Sequence, residues 1–166
     1  IAYASFTTVH AYTSSQSVVD TPSRKRRRGR AAAVNIVPTT SGAAAAVELV
    51  LPQLKGRLHG MAMRVPVACG SITDLVVGLD APVTVEKVNG ILRKASQQEN
   101  LRGILGYSED ELVSQDVIGD PHSALVDGAS TMKIEEKVMK VLAWYDNEWA
   151  YSARLVDFAG YVGKAL

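Results

Sequence analysis

The pattern of apolar and polar positions along the chain predicts a series of short β-strands. The predicted strands cover residues 3–10, 60–67, 71–80, 114–119, 123–128 and 137–146. Residues 14–30 are polar and contain Pro22, Ser23 and Gly29, which favour a loop over regular structure. Residues 31–38 lead from this loop into a turn at residues 39–42.

Three helices are predicted between and after these strands. The first covers residues 42–51, opened by Ser41 and Gly42. The second begins after Thr84, a residue suited to the N-cap. Its apolar face holds Val85, Val88, Ile91, Leu92 and Ala95 at helical spacing. The last covers residues 147–166, and its buried side is expected to hold Trp149, Leu155, Phe158, Ala159 and Val162.

The order of these elements predicts an α+β fold in which one mixed sheet carries helices on one face. The chain has 166 residues, enough for one domain with a hydrophobic core, and shows no internal repeat. No transmembrane span or signal peptide is predicted. The first residues, "IAYASF", resemble a strand cut from a longer chain, so we expect a fragment.

Composition and charge narrow the class of protein. Apolar residues make up 47% and charged residues 21%, which is typical of a soluble globular protein. The net charge of +1 gives the whole chain no strong attraction to nucleic acid or anionic lipid. The single cysteine, Cys69, excludes an internal disulfide framework and a cysteine-based zinc site, and fits a reducing compartment.

The stretch "FTTVHAYT" at residues 6–13 places a histidine, His10, at the predicted end of the first strand. A histidine in such a position can accept a proton during catalysis. The alternative is a structural histidine whose hydrogen bonds are made within the fold, and this is the commoner case for a histidine considered alone.

Four strings together resemble the catalytic domain of phosphorylating glyceraldehyde-3-phosphate dehydrogenase. They are "TTVHAYT", "RAAAVNIVPTTSGAA", "GMAMRVPV" and "VMKVLAWYDNEWAYS", in that family's order. The resemblance covers almost the whole chain and implies a mixed, largely antiparallel sheet. It also implies a cytoplasmic homotetramer of glycolysis that uses NAD, glyceraldehyde 3-phosphate and inorganic phosphate.

Two elements that the resemblance implies are outside these residues. One is the Rossmann half with its glycine-rich loop. The other is the "SCTTN" segment with the nucleophilic cysteine. We therefore interpret residues 1–166 as the catalytic domain alone and expect the isolated fragment to be inactive.

The resemblance assigns roles to six residues around substrate. It makes His10 the catalytic base that activates the thiol. It places the two phosphates at Thr13, Arg28, Ser41, Gly42 and Arg64. Guanidinium groups and helix N-termini both suit phosphate. The alternatives are a strand-edge salt bridge for Arg64 and an ordinary helix cap for Ser41 and Gly42.

Three further residues are expected to contact the cofactor. The resemblance places Asn147 at the nicotinamide carboxamide and Tyr151 near the nicotinamide, although Tyr151 could equally be a buried aromatic residue of the last helix. Pro22 is typical of members that prefer NAD over NADP, whereas Thr21 departs from their pattern.

The segment "SRKRRRGR" holds basic residues at nearly every position. By resemblance it belongs to the S-loop, residues 14–40, which contacts neighbouring subunits; Arg24, Lys25 and Arg26 are additions to the family pattern. Asp20 is a candidate partner for the cluster. The alternative function is a basic-loop module that binds nucleic acid or another polyanion. Cys69 as a substitute nucleophile is disfavoured, because its odd offset from Arg64 points to the opposite strand face.

Overall fold

The computed structural model describes residues 1–165, which form one seven-stranded sheet with the order β2-β3-β1-β4-β7-β6-β5. The strands are β1 Tyr3–Ala11, β2 Val37–Thr40, β3 Leu58–Val65, β4 Ser71–Gly78, β5 Leu105–Ser108, β6 Ala124–Glu135 and β7 Val138–Tyr145. The helices are α1 Ala43–Val50, α2 Val85–Ser96 and α3 Trp149–Ala165, and short 3-10 turns cover Arg26–Gly29, Ala32–Val34 and Pro52–Leu54. None of the helices in residues 1–165 is long and apolar enough to span a membrane.

The sheet is mixed, as predicted, and the α+β class is confirmed. β1 pairs in parallel with β3 and β5 with β6, whereas the other neighbouring pairs are antiparallel. The parallel β1–β3 pair brings the carboxyl ends of both strands to the same edge of the sheet. That edge is where His10 and Arg64 lie.

A cluster of buried apolar residues lies at the amino-terminal end of β1. Ala4 and Phe6 are buried there with Leu58 of β3 and Val77 of β4, and Val47 of α1 packs against them. Because alternate residues of a strand share a face, Thr8 and His10 continue this face toward the end of β1. The cluster therefore anchors the strand that carries the predicted base.

The second predicted helix is confirmed together with its cap. α2 begins at Val85, and the Thr84 hydroxyl accepts a hydrogen bond of 3.2 Å from the Lys87 amide. Its predicted apolar face is partly buried, except that Ile91 is exposed.

The predicted strand at residues 114–119 is wrong, because these residues form turns. The Asp116 carboxylate accepts a hydrogen bond from the Val113 amide, and Gly119 has a φ of 81°. An aspartate that bonds nearby backbone and a glycine in the left-handed region favour a turn over a strand. Val117 is nevertheless fully buried, which explains its apolar character.

Two edge strands, β2 and β5, fall in segments for which no strand was predicted. β2 contains Pro38, which is tolerated because β2 is an edge strand. β5 has only the four residues Leu105–Ser108, too few for a clear alternating pattern. β6 extends well beyond the predicted segment, to Glu135.

The last helix forms where it was predicted, but its expected buried side is exposed. Trp149 is 57% exposed and Phe158 64% exposed. Leu155, Ala159 and Val162 are exposed as well. Within residues 1–165 no other element covers this side, so helical spacing identified the apolar positions of α3 without identifying what they face.

Candidate functional site

His10 lies at the carboxyl end of β1 and is half-buried. Its Nδ1 atom is 2.7 Å from the Ala11 carbonyl oxygen and 2.9 Å from Arg64 Nη1. The ring of Tyr145 meets the imidazole edge-on, with 6.0 Å between ring centroids. Both hydrogen-bond contacts of the ring involve Nδ1, and within the described residues Nε2 makes none.

The two partners of Nδ1 select different tautomers of His10. A carbonyl oxygen only accepts and a guanidinium only donates, so Nδ1 can satisfy one of them at a time. With the proton on Nδ1, the ring donates to Ala11 and Nε2 keeps a lone pair. With the proton on Nε2, Nδ1 accepts from Arg64 instead. Only the first tautomer offers a base at Nε2.

Burial lowers the pKa of His10 below its usual 6.5, and the charge of Arg64 lowers it further, while the hydrogen bond with Ala11 acts in the opposite direction. The imidazole is therefore neutral at neutral pH, which is the form that can accept a proton.

This lowered pKa predicts a pH dependence of folding. As the pH falls below 6.5, His10 binds a proton in the unfolded chain but resists doing so in the folded chain. The free energy of unfolding of the wild-type chain should therefore decrease relative to that of a His10→Gln variant. Urea unfolding of both proteins between about pH 5 and 8 measures the difference. If the free energies of unfolding of the two proteins changed with pH in the same way, the pKa of His10 would not be lowered.

Arg64 lies beside His10 because the two residues are register partners in the parallel β1–β3 pair. Its Nη1 atom donates a hydrogen bond of 2.9 Å to the Ala11 carbonyl oxygen, and its Nε atom is buried and has no partner among residues 1–165. Burial and the nearby charge of Arg28 lower the pKa of Arg64, but an arginine remains charged at physiological pH. Arg64 thus offers an unsatisfied donor.

A cavity of about 740 Å³ opens on the His10 side of the sheet. This volume is typical of small-molecule sites, which span about 300–1,000 Å³. The predicted residues that line it are His10, Arg28, Ser41, Gly42 and Arg64. Tyr145, which the sequence did not single out, also lines it. Tyr145 lies two residues after Ala143 on β7, so strand alternation places both on the face that lines the cavity.

Arg28 and Ser41, which both line the cavity, each take part in hydrogen bonds that involve a hydroxyl group. Arg28 donates to the Thr39 hydroxyl through both Nε and Nη2, each at 3.2 Å. The Ser41 hydroxyl accepts a hydrogen bond of 3.2 Å from the Ala43 amide at the start of α1. Among the described residues that line the cavity there is no carboxylate. The cavity is therefore suited to bind a negatively charged ligand.

Asn147 lies between β7 and α3 and is not among the residues that line the cavity. Its Oδ1 atom accepts hydrogen bonds of 3.1 Å from the Gly70 amide and from the Ser71 hydroxyl. Its Nδ2 atom is buried and has no partner in the described part of the chain. The side-chain amide thus presents an unused donor.

Comparison with known proteins agrees with these features. The family model described as glyceraldehyde 3-phosphate dehydrogenase, C-terminal domain, matches residues 1–147. The chain belongs to this family. Among the relatives, a protein named glyceraldehyde-3-phosphate dehydrogenase from Streptomyces coelicolor is 57% identical over 160 residues, which cover 96% of this chain and 48% of the relative. One from Borreliella burgdorferi is 56% identical over 154 residues, covering 92% of this chain and 46% of the relative. The chain spans about half the length of the curated relatives it matches.

Besides Asn147, three residues predicted from the resemblance to this dehydrogenase family lie outside the set that lines the cavity. The Thr13 hydroxyl is 2.9 Å from the Ser15 hydroxyl in the loop after β1. Pro22 is exposed in the same loop, and Tyr151 is 69% exposed on α3. Tyr151 is therefore not the buried aromatic residue of the alternative interpretation. The fold of residues 1–165 does not bring these three side chains to the cavity.

The basic segment at residues 23–30 contains the 3-10 turn Arg26–Gly29. Asp20 partners Arg30, as anticipated, at 2.9 Å from its Nε atom. The Ala31 amide, which also donates to Asp20, is the largest cause of the lowered pKa of that carboxyl group. A second groove of about 590 Å³ is lined by Lys25, Arg26, Arg27 and Arg28, so Arg28 contributes to both concave surfaces.

Cys69, the only cysteine of the chain, lies in the loop between β3 and β4 and is not among the residues that line the cavity. The prediction from strand faces does not apply to it, because β3 ends at Val65. Its thiol is 3.3 Å from Asp146 Oδ1. Burial, followed by the hydrogen bond and charge of Asp146, raises the pKa of Cys69. A thiol held in its neutral form is a poor nucleophile.

Proposed function

We propose that this chain supplies the base, the phosphate-binding groups and a nicotinamide contact of a phosphorylating, NAD-dependent glyceraldehyde-3-phosphate dehydrogenase. The observation that carries the proposal is the convergence of His10, Arg28, Ser41 and Arg64 on one cavity in a chain of this family. The product would be an acyl phosphate, formed from the aldehyde and inorganic phosphate.

His10 is the proposed catalytic base. A thiol that adds to the aldehyde carbon must lose its proton, and the neutral imidazole can take it at Nε2. This role requires the tautomer in which Nδ1 donates to the Ala11 carbonyl oxygen and Nε2 keeps a free lone pair. The family resemblance assigns the thiol to a cysteine other than Cys69, and the raised pKa of Cys69 supports that assignment.

Arg64, Arg28, Ser41 and Gly42 are proposed to hold phosphate groups. Arg28 and Arg64 line one cavity, and none of the described residues that line it carries a carboxylate. The buried N–H group at Nε of Arg64 has no acceptor among the described residues. A guanidinium binds two phosphate oxygens at once. Thr13 is proposed to join them at the substrate phosphate through its hydroxyl, which lies 2.9 Å from that of Ser15.

Asn147 fits the nicotinamide carboxamide, because its Nδ2 atom is a buried donor without a partner and a carboxamide oxygen accepts such a bond. NAD, when bound, supplies the oxidant. The exposed Tyr151 and Pro22 are proposed to contact the cofactor in a complete enzyme, and the S-loop is proposed to contact other subunits of a homotetramer. We propose the cytoplasm as the location.

A chimera tests this function directly. In it, this chain replaces the matching 160 residues of the Streptomyces coelicolor relative, which leaves the rest of that protein in place. We expect NADH formation from glyceraldehyde 3-phosphate, NAD and phosphate, whereas the isolated chain should form none. The unmodified relative is the positive control, and circular dichroism with gel filtration establishes folding. A folded chimera that forms no NADH contradicts the proposal.

A further inference from the structure

Ser71, the first residue of β4, is almost completely buried, with 1% of its surface exposed. It lies between two parts of the candidate site. Its Oγ accepts a hydrogen bond of 3.2 Å from the Ala11 amide, next to His10, and donates one of 3.1 Å to Asn147 Oδ1. A single hydroxyl thus connects the end of β1 with the Asn147 side chain.

The direction of these hydrogen bonds is determined by their partners. The Ala11 amide can only donate, so it occupies an acceptor position of the Ser71 hydroxyl and leaves the hydroxyl proton for Asn147. The Gly70 amide also only donates, at 3.1 Å from the same Oδ1 atom. The Gly70 amide excludes the flipped orientation, which would place an NH₂ group against a group that only donates. Nδ2 is consequently turned away from the Gly70 amide and the Ser71 hydroxyl.

We propose that Ser71 is a positioning residue that aligns the Asn147 amide so that Nδ2 is presented to the nicotinamide carboxamide. This inference rests on the proposed function of Asn147. Arg64 donates to the carbonyl oxygen of Ala11, while the amide of Ala11 donates to Ser71. The backbone of Ala11 therefore couples the position of the phosphate-binding guanidinium to that of the nicotinamide contact.

The first test uses this chain alone and needs no cofactor. In wild-type protein, the two side-chain protons on Asn147 Nδ2 should exchange slowly with solvent, because Nδ2 is buried and the amide is held in one orientation. Ser71→Ala should change the chemical shifts of these protons and speed their exchange with solvent. Ser71→Thr, which retains the hydroxyl, should preserve them. Unchanged Asn147 signals in Ser71→Ala would overturn the inference.

The second test uses the chimera and distinguishes positioning from simple stabilisation. Ser71→Ala should raise the KM for NAD roughly two- to tenfold, the range expected for loss of one hydrogen bond, with little change in the KM for glyceraldehyde 3-phosphate. In an Asn147→Ala background the same change should leave the KM for NAD unaltered, because Ser71 then has nothing to align. A purely structural Ser71 would give equal effects in both backgrounds.

The outcomes separate this inference from the proposed function. If the chimera is active and Ser71→Ala leaves its KM for NAD unchanged, the inference about Ser71 is wrong, whereas the proposed function is not affected. A folded but inactive chimera overturns the proposed function, whereas the NMR signals still report on the alignment. If Ser71→Ala fails to fold, Ser71→Cys takes its place, since a thiol of similar shape is a weaker donor. Ser71→Cys should then show faster exchange of the Asn147 protons, and wild-type exchange would count against the inference.

Discussion

Replacing His10 with glutamine in the chimera should lower kcat by about 10²- to 10⁴-fold, the usual contribution of a general base. Glutamine retains a polar side chain of similar reach but takes no proton at neutral pH. The imidazole is suited to the role because burial and Arg64 keep it neutral, and because Nδ1 can donate to Ala11 while Nε2 accepts. Steady-state kinetics with saturating substrates measure the loss.

His59 provides the matched control for this substitution. It lies on β3, as Arg64 does, but it is exposed and is not among the residues that line the cavity. A His59→Gln chimera should therefore retain the kcat of the unmodified chimera. If His10→Gln also retained it, His10 would be a structural histidine, which is the alternative that the sequence left open.

Replacing Gly70 with alanine should destabilise the isolated chain by at least about 1–3 kcal/mol. Gly70 has a φ of 87°, a conformation that residues with a side chain rarely adopt. An added Cβ would also lie 2.2 Å from the Ser114 carbonyl oxygen. Backbone atoms cannot rotate away, so the loop before β4 would have to move, and the Gly70 amide would leave Asn147. Urea unfolding monitored by tryptophan fluorescence measures the loss.

Gly103 separates the two causes. Its φ of 73° is similar, but a Cβ built there meets nothing within 4 Å. Gly103→Ala should therefore show the cost of backbone strain without the clash, and it should destabilise the chain less than Gly70→Ala. Equal losses of stability at the two positions would mean that the clash with Ser114 does not contribute to the destabilisation.

The elements that were predicted best from the sequence are those whose formation depends on residues close together along the chain. β1 and α2 were predicted nearly to their observed bounds, because strand alternation and helix capping act over a few positions. The false strand at residues 114–119 shows the limit of that approach. Val117 is buried whether its segment is a strand or a turn, so its apolar character could not choose between them.

Some residues of the candidate site could be identified from the sequence, and others only from the structure. The resemblance selected His10, Arg64, Ser41 and Asn147 as chemically suited residues, but Ser71 carried no signal of its own. A serine at the start of a strand is ordinary in sequence, and its importance comes only from the Ala11 amide and the Asn147 oxygen that meet it.

The sequence by itself determined the family, most of the strands and helices, and the residue types that the chemistry needs. Tertiary structure decided which of them meet. His10 and Arg64 are 54 residues apart, yet they touch because β1 and β3 pair in parallel. Tyr151 and Pro22 belong to the same predicted set but remain exposed. The physical reason is range: hydrogen bonds and side-chain preferences act locally along the chain, whereas the register of a sheet depends on the packing of segments far apart in sequence.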